Sequence, residues 1–298
     1  MEERCGCSDC GSGCEAGQCE GAGNEQEKGK EKAAGIEKWP FNEYSSVKNV
    51  IAVMSGKGGV GKSSVTSLLA CGFRKKGFEV GVMDADITGP SLPRMFGVRE
   101  IPEQVMFGIV PPESSTGIKV MSINFFVPHE DDPVIWRGPI LANAVKQFWT
   151  DVVWTDLDYL FVDLPPGTGD VPLSVMQSMP LTGIIIVSSP QDLAVMIVKK
   201  AIKMTKLLKV PILGLVENMT SAICPDCGRE FALFGPGRGR EVAEKSGIEY
   251  LGSLPIDPTL SKLCDEGRVE EYRSVLFEEI IPGKLAGTAG EKPGSDGH

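Results

Sequence analysis

A mostly parallel, doubly wound α/β sheet is the fold class this chain predicts, on three observations. From residue 49 onward, apolar runs of strand length alternate with amphipathic runs of helix length, the order that stacks helices on both faces of a parallel sheet. The first apolar run, residues 50–54, leads directly into a glycine-rich loop, residues 55–63, and then into a helix-like run, residues 64–76. Aspartates close two later strand-like runs, at the carboxyl ends where open α/β sheets bind their ligands.

Residues 1–40 form a separate segment rich in Cys, Gly, Glu and Lys, with almost no large apolar residue before Ile36. Such a composition cannot bury a core, so a disordered arm is expected there, ordered at most locally by a metal. Strands are expected at 49–55, 79–84, 118–123, 159–164, 183–188, 212–218 and 249–254. Helices are expected at 62–76, 139–150, 171–179, 192–208, 237–246 and 258–266. These elements define a nucleotide-binding domain over residues 41–283, and the Gly-, Pro- and Lys-containing stretch 284–298 is expected to be a disordered tail.

A chain of 298 residues is long enough for one large α/β domain with tails, and 42% hydrophobic with 23% charged residues is ordinary for a soluble protein. The formal net charge of −10 argues against nucleic acid or an anionic membrane as the main partner. No apolar run approaches the about 18 residues of a spanning helix, and the tail offers no basic amphipathic helix for a membrane surface. With no apolar signal region at the N-terminus, a cytoplasmic location is expected.

The loop reads Ser55-Gly56-Lys57-Gly58-Gly59-Val60-Gly61-Lys62-Ser63, followed by Ser64. Glycines let backbone N–H groups turn inward around phosphate oxygens, and the helix start adds free N–H groups and partial positive charge. Gly56 through Ser64 are therefore the expected nucleotide-binding residues, with Lys62 on the β/γ-phosphates and the Ser63 hydroxyl on Mg²⁺. Asp163, at the end of the strand-like run 160–162, is the second expected Mg²⁺ residue. Asp86 is expected to orient the attacking water, and Asp84 to stand behind the metal or to bond the loop. Residues 167–169, Gly-Thr-Gly, can move as a γ-phosphate sensor must.

Nine cysteines in a chain of this kind point to metal or redox chemistry rather than disulfides. Cys71 reads as a buried apolar residue in a helix; Cys264 is less decided. Cys224 and Cys227 form a Cys-Pro-Asp-Cys pair in a loop. Two thiolates at that spacing grip one metal centre, but iron–sulfur clusters and structural zinc ordinarily take four ligands. A second, identical chain across a two-fold axis supplies the missing pair in one reading; zinc and a redox or inert role stay open. Cys5, Cys7, Cys10, Cys14 and Cys19 make a possible second metal site, the alternative being a flexible thiol-rich tail.

The second lysine of the loop, Lys57, is not needed by an ordinary phosphate loop, and the sequence Lys57-Gly-Gly-Val-Gly-Lys62-Ser63 resembles the deviant loop of the SIMIBI-class ATPases, which include MinD/ParA proteins. In that class the extra lysine reaches the partner subunit's nucleotide, so the resemblance implies a catalytic role for Lys57 beside Lys62 and Asp86. Asp84-Ala-Asp-Ile-Thr-Gly-Pro-Ser91, Trp136-Arg-Gly-Pro139, Asp163-Leu-Pro-Pro-Gly-Thr-Gly-Asp170, Glu217-Asn-Met219 and Cys224-Pro-Asp-Cys227 follow in order. Together they resemble the Mrp/ApbC-type iron–sulfur cluster carrier ATPases over roughly residues 40–283. The resemblance implies a homodimer that binds ATP, holds a labile 4Fe–4S cluster between two Cys-Pro-x-Cys loops, and passes it to apo iron–sulfur proteins in concert with cluster-assembly proteins. It implies slow ATP hydrolysis, and an adenine contact by Asn218 with Pro255 and Asp257 walling the base. The arm departs from the relatives: bacterial members often begin with a small acidic domain, and eukaryotic ones with a four-cysteine motif whose first gap is long, whereas these five cysteines are tightly spaced. A MinD/ParA-like positioning ATPase and a metal-insertion NTPase chaperone are the rival expectations.

Overall fold

The computed structural model describes residues 38–86, 91–126, 138–224 and 227–288. Cys5, Cys7, Cys10, Cys14 and Cys19 lie outside the described residues, as do residues 87–90, Trp136, Arg137, Pro225 and Asp226. In chain order the elements are β1 (Ser46–Ser55), α1 (Lys62–Lys75), β2 (Val80–Asp84), α2 (Leu92–Met95), β3 (Glu103–Val105), β4 (Gly108–Val110), β5 (Lys119–Ser122) and α3 (Gly138–Thr150). There follow β6 (Asp156–Asp163), α4 (Asp170–Ser178), β7 (Gly183–Ser188), α5 (Asp192–Leu207), β8 (Ile212–Glu217), β9 (Ala222–Ile223), β10 (Glu230–Phe231), α6 (Gly239–Ser246), β11 (Tyr250–Ser253), α7 (Pro258–Asp265) and α8 (Ile281–Thr288).

Seven strands form one sheet in the order β11-β8-β7-β1-β6-β2-β5, and every pairing in it is parallel. Successive side chains of a strand face opposite sides, and here both sides are covered. Val50, Ala52 and Met54 of β1, Leu160 and Val162 of β6, and Ile184 and Ile186 of β7 join one buried cluster beneath α3, α4, α5 and α6. Their neighbours Ile51, Val53, Tyr159, Phe161, Ile185 and Val187 join a second cluster beneath α1, α7 and α8. The strands therefore read as continuous apolar runs, and the sheet is wound on both faces as the sequence predicts.

The strand order puts the ligand crevice at β1. The chain leaves β1 toward β2 and β5, returns to insert β6 beside β1, and only then builds β7, β8 and β11 on the other side. Val53 is in register with Asp163, and Asp163 with Asp84, so both aspartates stand beside the loop that follows β1.

The fold differs from expectation at its end. The helix Ile281–Thr288 enters the stretch expected to be a tail, and its Leu285 is buried in the second core cluster. The glycines and proline of this stretch disguise a packed helix: a π-helical turn, Leu276–Ile280, precedes it and buries Phe277 against α1. Two short hairpins, β3–β4 and β9–β10, were not foreseen either. Among the described residues no helix is long and apolar enough to cross a membrane.

Candidate functional site

The loop after β1 turns on two glycines in left-handed backbone, Gly59 at φ 77° and Gly61 at φ 75°. That region costs an L residue with a Cβ, and Gly61 is also the N-cap of α1. No acidic residue occupies the first turn of α1, so nothing there opposes an anion at the helix N-terminus. A cavity of about 260 Å³ opens over the loop, lined by Gly58, Gly59, Lys62, Ser63, Ser64 and Asp86 among others.

Lys62 is only 6% exposed and its Nζ lies 2.7 Å from Asp163 Oδ2 and 3.4 Å from Asp86 Oδ2. Proximity gives an ion pair, yet no hydrogen bond from Nζ is well aligned, so the ammonium retains buried donor capacity facing the cavity. Ser63 Oγ donates to Asp163 Oδ2 at 2.6 Å, and Thr66 Oγ1 donates to Asp163 Oδ1 at 2.7 Å. Thr66 also donates to the Lys62 carbonyl at 3.0 Å. Thr66 was not singled out by motif; its place one turn beyond Ser63, on the same helix face, is the signal that identifies it.

Asp84 is completely buried and organises the neighbouring loop. Its carboxylate accepts N–H from Asp86 at 3.2 Å on one side, from Ser91 at 3.1 Å and Leu92 at 3.3 Å on the other, and the Ser122 hydroxyl at 3.3 Å. Burial first, then the charge of Asp163, pushes its carboxyl well above the usual carboxylate range; Lys62 opposes that rise. The segment that Asp84 bonds is the one after its own strand β2, not the phosphate loop that the sequence suggested. Lys57 donates through Nζ to Gln191 Oε1, and the Ser55 hydroxyl fixes the Lys57 carbonyl at 3.0 Å.

Asn218, expected at the nucleotide base, bonds the phosphate loop in the structure. Its Nδ2 donates to the Val60 carbonyl at 2.9 Å, its Oδ1 accepts its neighbour Met219 N–H at 2.9 Å, and its own N–H bonds the Ser188 carbonyl at 2.8 Å. Asp257 is the N-cap of α7: it accepts the Thr259 N–H at 2.8 Å and the Tyr272 hydroxyl at 2.8 Å. Pro255 is half-buried beside it.

Cys224 and Cys227 lie between the two strands of the β9–β10 hairpin, which begins only a few residues beyond Asn218. The Gly228 N–H bonds the Cys224 carbonyl at 2.9 Å, and the Cys224 N–H bonds the Arg229 carbonyl at 3.0 Å. Cys227 is exposed and Cys224 half-buried, whereas Cys71 and Cys264 are buried. Burial pushes the Cys71 thiol far up and the Cys264 thiol up to about 11, which leaves both protonated and unreactive. Large apolar side chains flank the pair in the open: Ile223, Phe231, Leu233 and Phe234. Among the described residues no single cluster of three or more metal-ligating side chains occurs.

The family model of the NUBPL iron-transfer P-loop NTPases matches residues 46–281. A protein of Clostridium perfringens named iron-sulfur cluster carrier protein is 46% identical over 252 residues, covering 80% of this chain and 88% of that one. One of the same name from Methanocaldococcus jannaschii is 47% identical over 225 residues, covering 75% and 78%. The solved structure of a nucleotide-binding protein from Archaeoglobus fulgidus in complex with ADP superposes with a TM-score of 0.70 at 46% identity, covering 78% of this chain and 92% of that one. MinD of Aquifex aeolicus, at 19% identity and a TM-score of 0.52, covers 83% and 99% and shares the fold. On the extent of these matches, the chain belongs to the family of NUBPL iron-transfer P-loop NTPases.

Proposed function

We propose that this protein binds iron–sulfur clusters as cargo and transfers them to apoproteins in the cytoplasm, with ATP binding and slow hydrolysis gating a homodimer. The observation that carries the reading is the short chain path from Asn218, bonded to the phosphate loop, to the thiol pair Cys224 and Cys227. The family and the names of its relatives agree with it.

The residues of the loop fit a nucleoside triphosphate. Left-handed glycines, the start of α1 and the buried Lys62 ammonium together favour phosphate oxygens. Ser63 and Asp163 would hold Mg²⁺, which supplies charge neutralisation across the β- and γ-phosphates. Asp86, close to Lys62, orients the water whose oxygen bonds to the γ-phosphorus as the bridge to the β-phosphate breaks. Lys57, which donates to Gln191 in its own chain, acts on the nucleotide of a second chain. Asn218, Pro255 and Asp257 line the base, Asn218 through the amide hydrogen its bond to Val60 leaves over.

Two thiolates per chain leave a four-ligand 4Fe–4S cargo half held, so the carrier works as a symmetric pair. The test is anaerobic loading with iron and sulfide of the full chain with serine at the five arm cysteines. Cluster absorbance is expected there and not after adding Cys224→Ala and Cys227→Ala. Equal absorbance in both proteins refutes the pair as the cargo site.

A further inference from the structure

Glu217 is the last residue of β8 and only 3% exposed, yet nothing in the nucleotide site uses its carboxylate. It reaches instead across the chain to the start of α6, where Oε1 accepts the Arg238 N–H at 2.9 Å and the Gly239 N–H at 2.8 Å. These are the unpaired donors that a helix start presents, and a buried carboxylate satisfies them strongly. The fit leaves no slack: a Cβ on Gly237 would sit 2.6 Å from Glu217 Oε2, and one on Gly239 2.8 Å from Glu217 Cδ.

What this bond encloses gives it meaning. The segment between Glu217 and Arg238 contains the whole β9–β10 hairpin with Cys224 and Cys227. The outgoing limb of that segment is fastened to Glu217, and the incoming limb starts at Asn218, whose amide holds the Val60 carbonyl of the phosphate loop. Thr220 and Ile256 add backbone bonds, to the Leu254 and Ser221 carbonyls. Neighbouring residues at a strand end point to opposite faces, so Glu217 and Asn218 form a two-armed junction on one rigid backbone unit. Val60 and the base of the hairpin are thus tied to the same backbone unit.

We propose that Glu217 is a positioning residue that couples the nucleotide state of the phosphate loop to the geometry of the Cys224–Cys227 pair. The inference rests on the carrier reading above. Coupling means that metal affinity at the pair differs between nucleotide states, by about fivefold or more for a working switch.

The test uses the full chain with serine at Cys5, Cys7, Cys10, Cys14 and Cys19, and Co²⁺ alone as the probe, read by its thiolate absorbance. Co²⁺ affinity is measured with ADP and with a non-hydrolysable ATP analogue. The parent is expected to give a ratio of about five or more between the two. Glu217→Ala is expected to bring the ratio within about twofold of one while ADP affinity stays within about twofold of the parent. Glu217→Gln keeps the Oε1 acceptor and is expected to restore the ratio. Gly237→Ala, which crowds the carboxylate without removing it, is expected to lower the ratio even if the alanine variant at 217 folds poorly. A parental ratio of one, an undiminished ratio in Glu217→Ala or Gly237→Ala, or ADP affinity falling in step with Co²⁺ affinity would overturn the proposal. Co²⁺ binding that survives Cys224→Ala with Cys227→Ala would instead sink the carrier reading itself.

Discussion

At the scale of single residues, burial divides the described cysteines into two chemical classes. Cys264, with its thiol raised to about 11 by burial, and Cys71, raised further, present no thiolate near neutral pH, while Cys227 is exposed on its hairpin. Brief alkylation of the native protein at pH 8, read by site-resolved mass spectrometry, is expected to label Cys224 and Cys227 and to spare Cys71 and Cys264 until denaturant is added. The same burial has a pH signature. An unfolded thiol ionises near 9.0 and the folded Cys264 near 11, so between these values the unfolded chain releases a proton that the folded chain keeps. Stability is therefore expected to fall as pH rises through that window, seen as a lower urea midpoint at pH 10 than at pH 8, and a flat profile would contradict it. The meeting of Lys62, Ser63 and Asp163 was readable at this scale, because these residues follow from a local motif and a strand end. Thr66 was not, since a threonine inside a helix carries no motif until the fold brings Asp163 against it. The second bond of Asp257, from Tyr272 fifteen residues away, was likewise hidden, whereas its cap on the Thr259 N–H is local.

At the scale of the element, the loop–helix unit discriminates between two glycines that look alike in sequence. Gly59 and Gly61 both have positive φ, but a Cβ at Gly59 meets nothing within 4 Å, while one at Gly61 would lie 2.2 Å from Asn218 Nδ2. Gly59→Ala thus carries only backbone strain, about 1–2 kcal/mol. Gly61→Ala carries that strain and also expels the amide that holds Val60. Nucleotide affinity, measured by calorimetry, is expected to fall about tenfold or more further in Gly61→Ala than in Gly59→Ala, the worth of about 1.4 kcal/mol. Equal losses would mean that the Asn218 bond does not support the loop. Elements themselves were legible wherever burial on both faces makes a strand a continuous apolar run: β1, β2, β6 and β7 stand where the sequence predicts. The hairpins β3–β4 and β9–β10 have strands of two or three residues, too short to show any period. The second of them carries the thiol pair, so the geometry of the cysteines was less readable than their identity.

For the whole molecule, periodicity fixes which segments are strands but not their neighbours, because insertion of β6 between β1 and β2 is a long-range pairing that no local pattern encodes. That insertion brings Asp163 beside the phosphate loop, and the sequence could only infer it from the fold class. The same limit applies one level up, to the pairing of chains. Each chain offers two thiols on a hairpin collared by exposed Ile223, Phe231, Leu233 and Phe234, and a phosphate loop whose half-buried Lys57 donates to Gln191. The proposed function gives two independent links between chains: the nucleotide through Lys57, and the cargo through the cysteines. If so, each link can be cut alone. Light scattering after gel filtration is expected to give a dimer mass for the chain with a non-hydrolysable ATP analogue, and a monomer mass for Lys57→Ala under the same conditions. Loading Lys57→Ala with iron and sulfide is expected to restore the dimer, because its cysteines are intact, whereas Cys224→Ala with Cys227→Ala is expected to dimerise with the analogue and not with the cluster. A protein that stays monomeric with both nucleotide and cluster would refute the shared cargo, and a Lys57→Ala variant that dimerises fully with the analogue would refute the role given to that lysine.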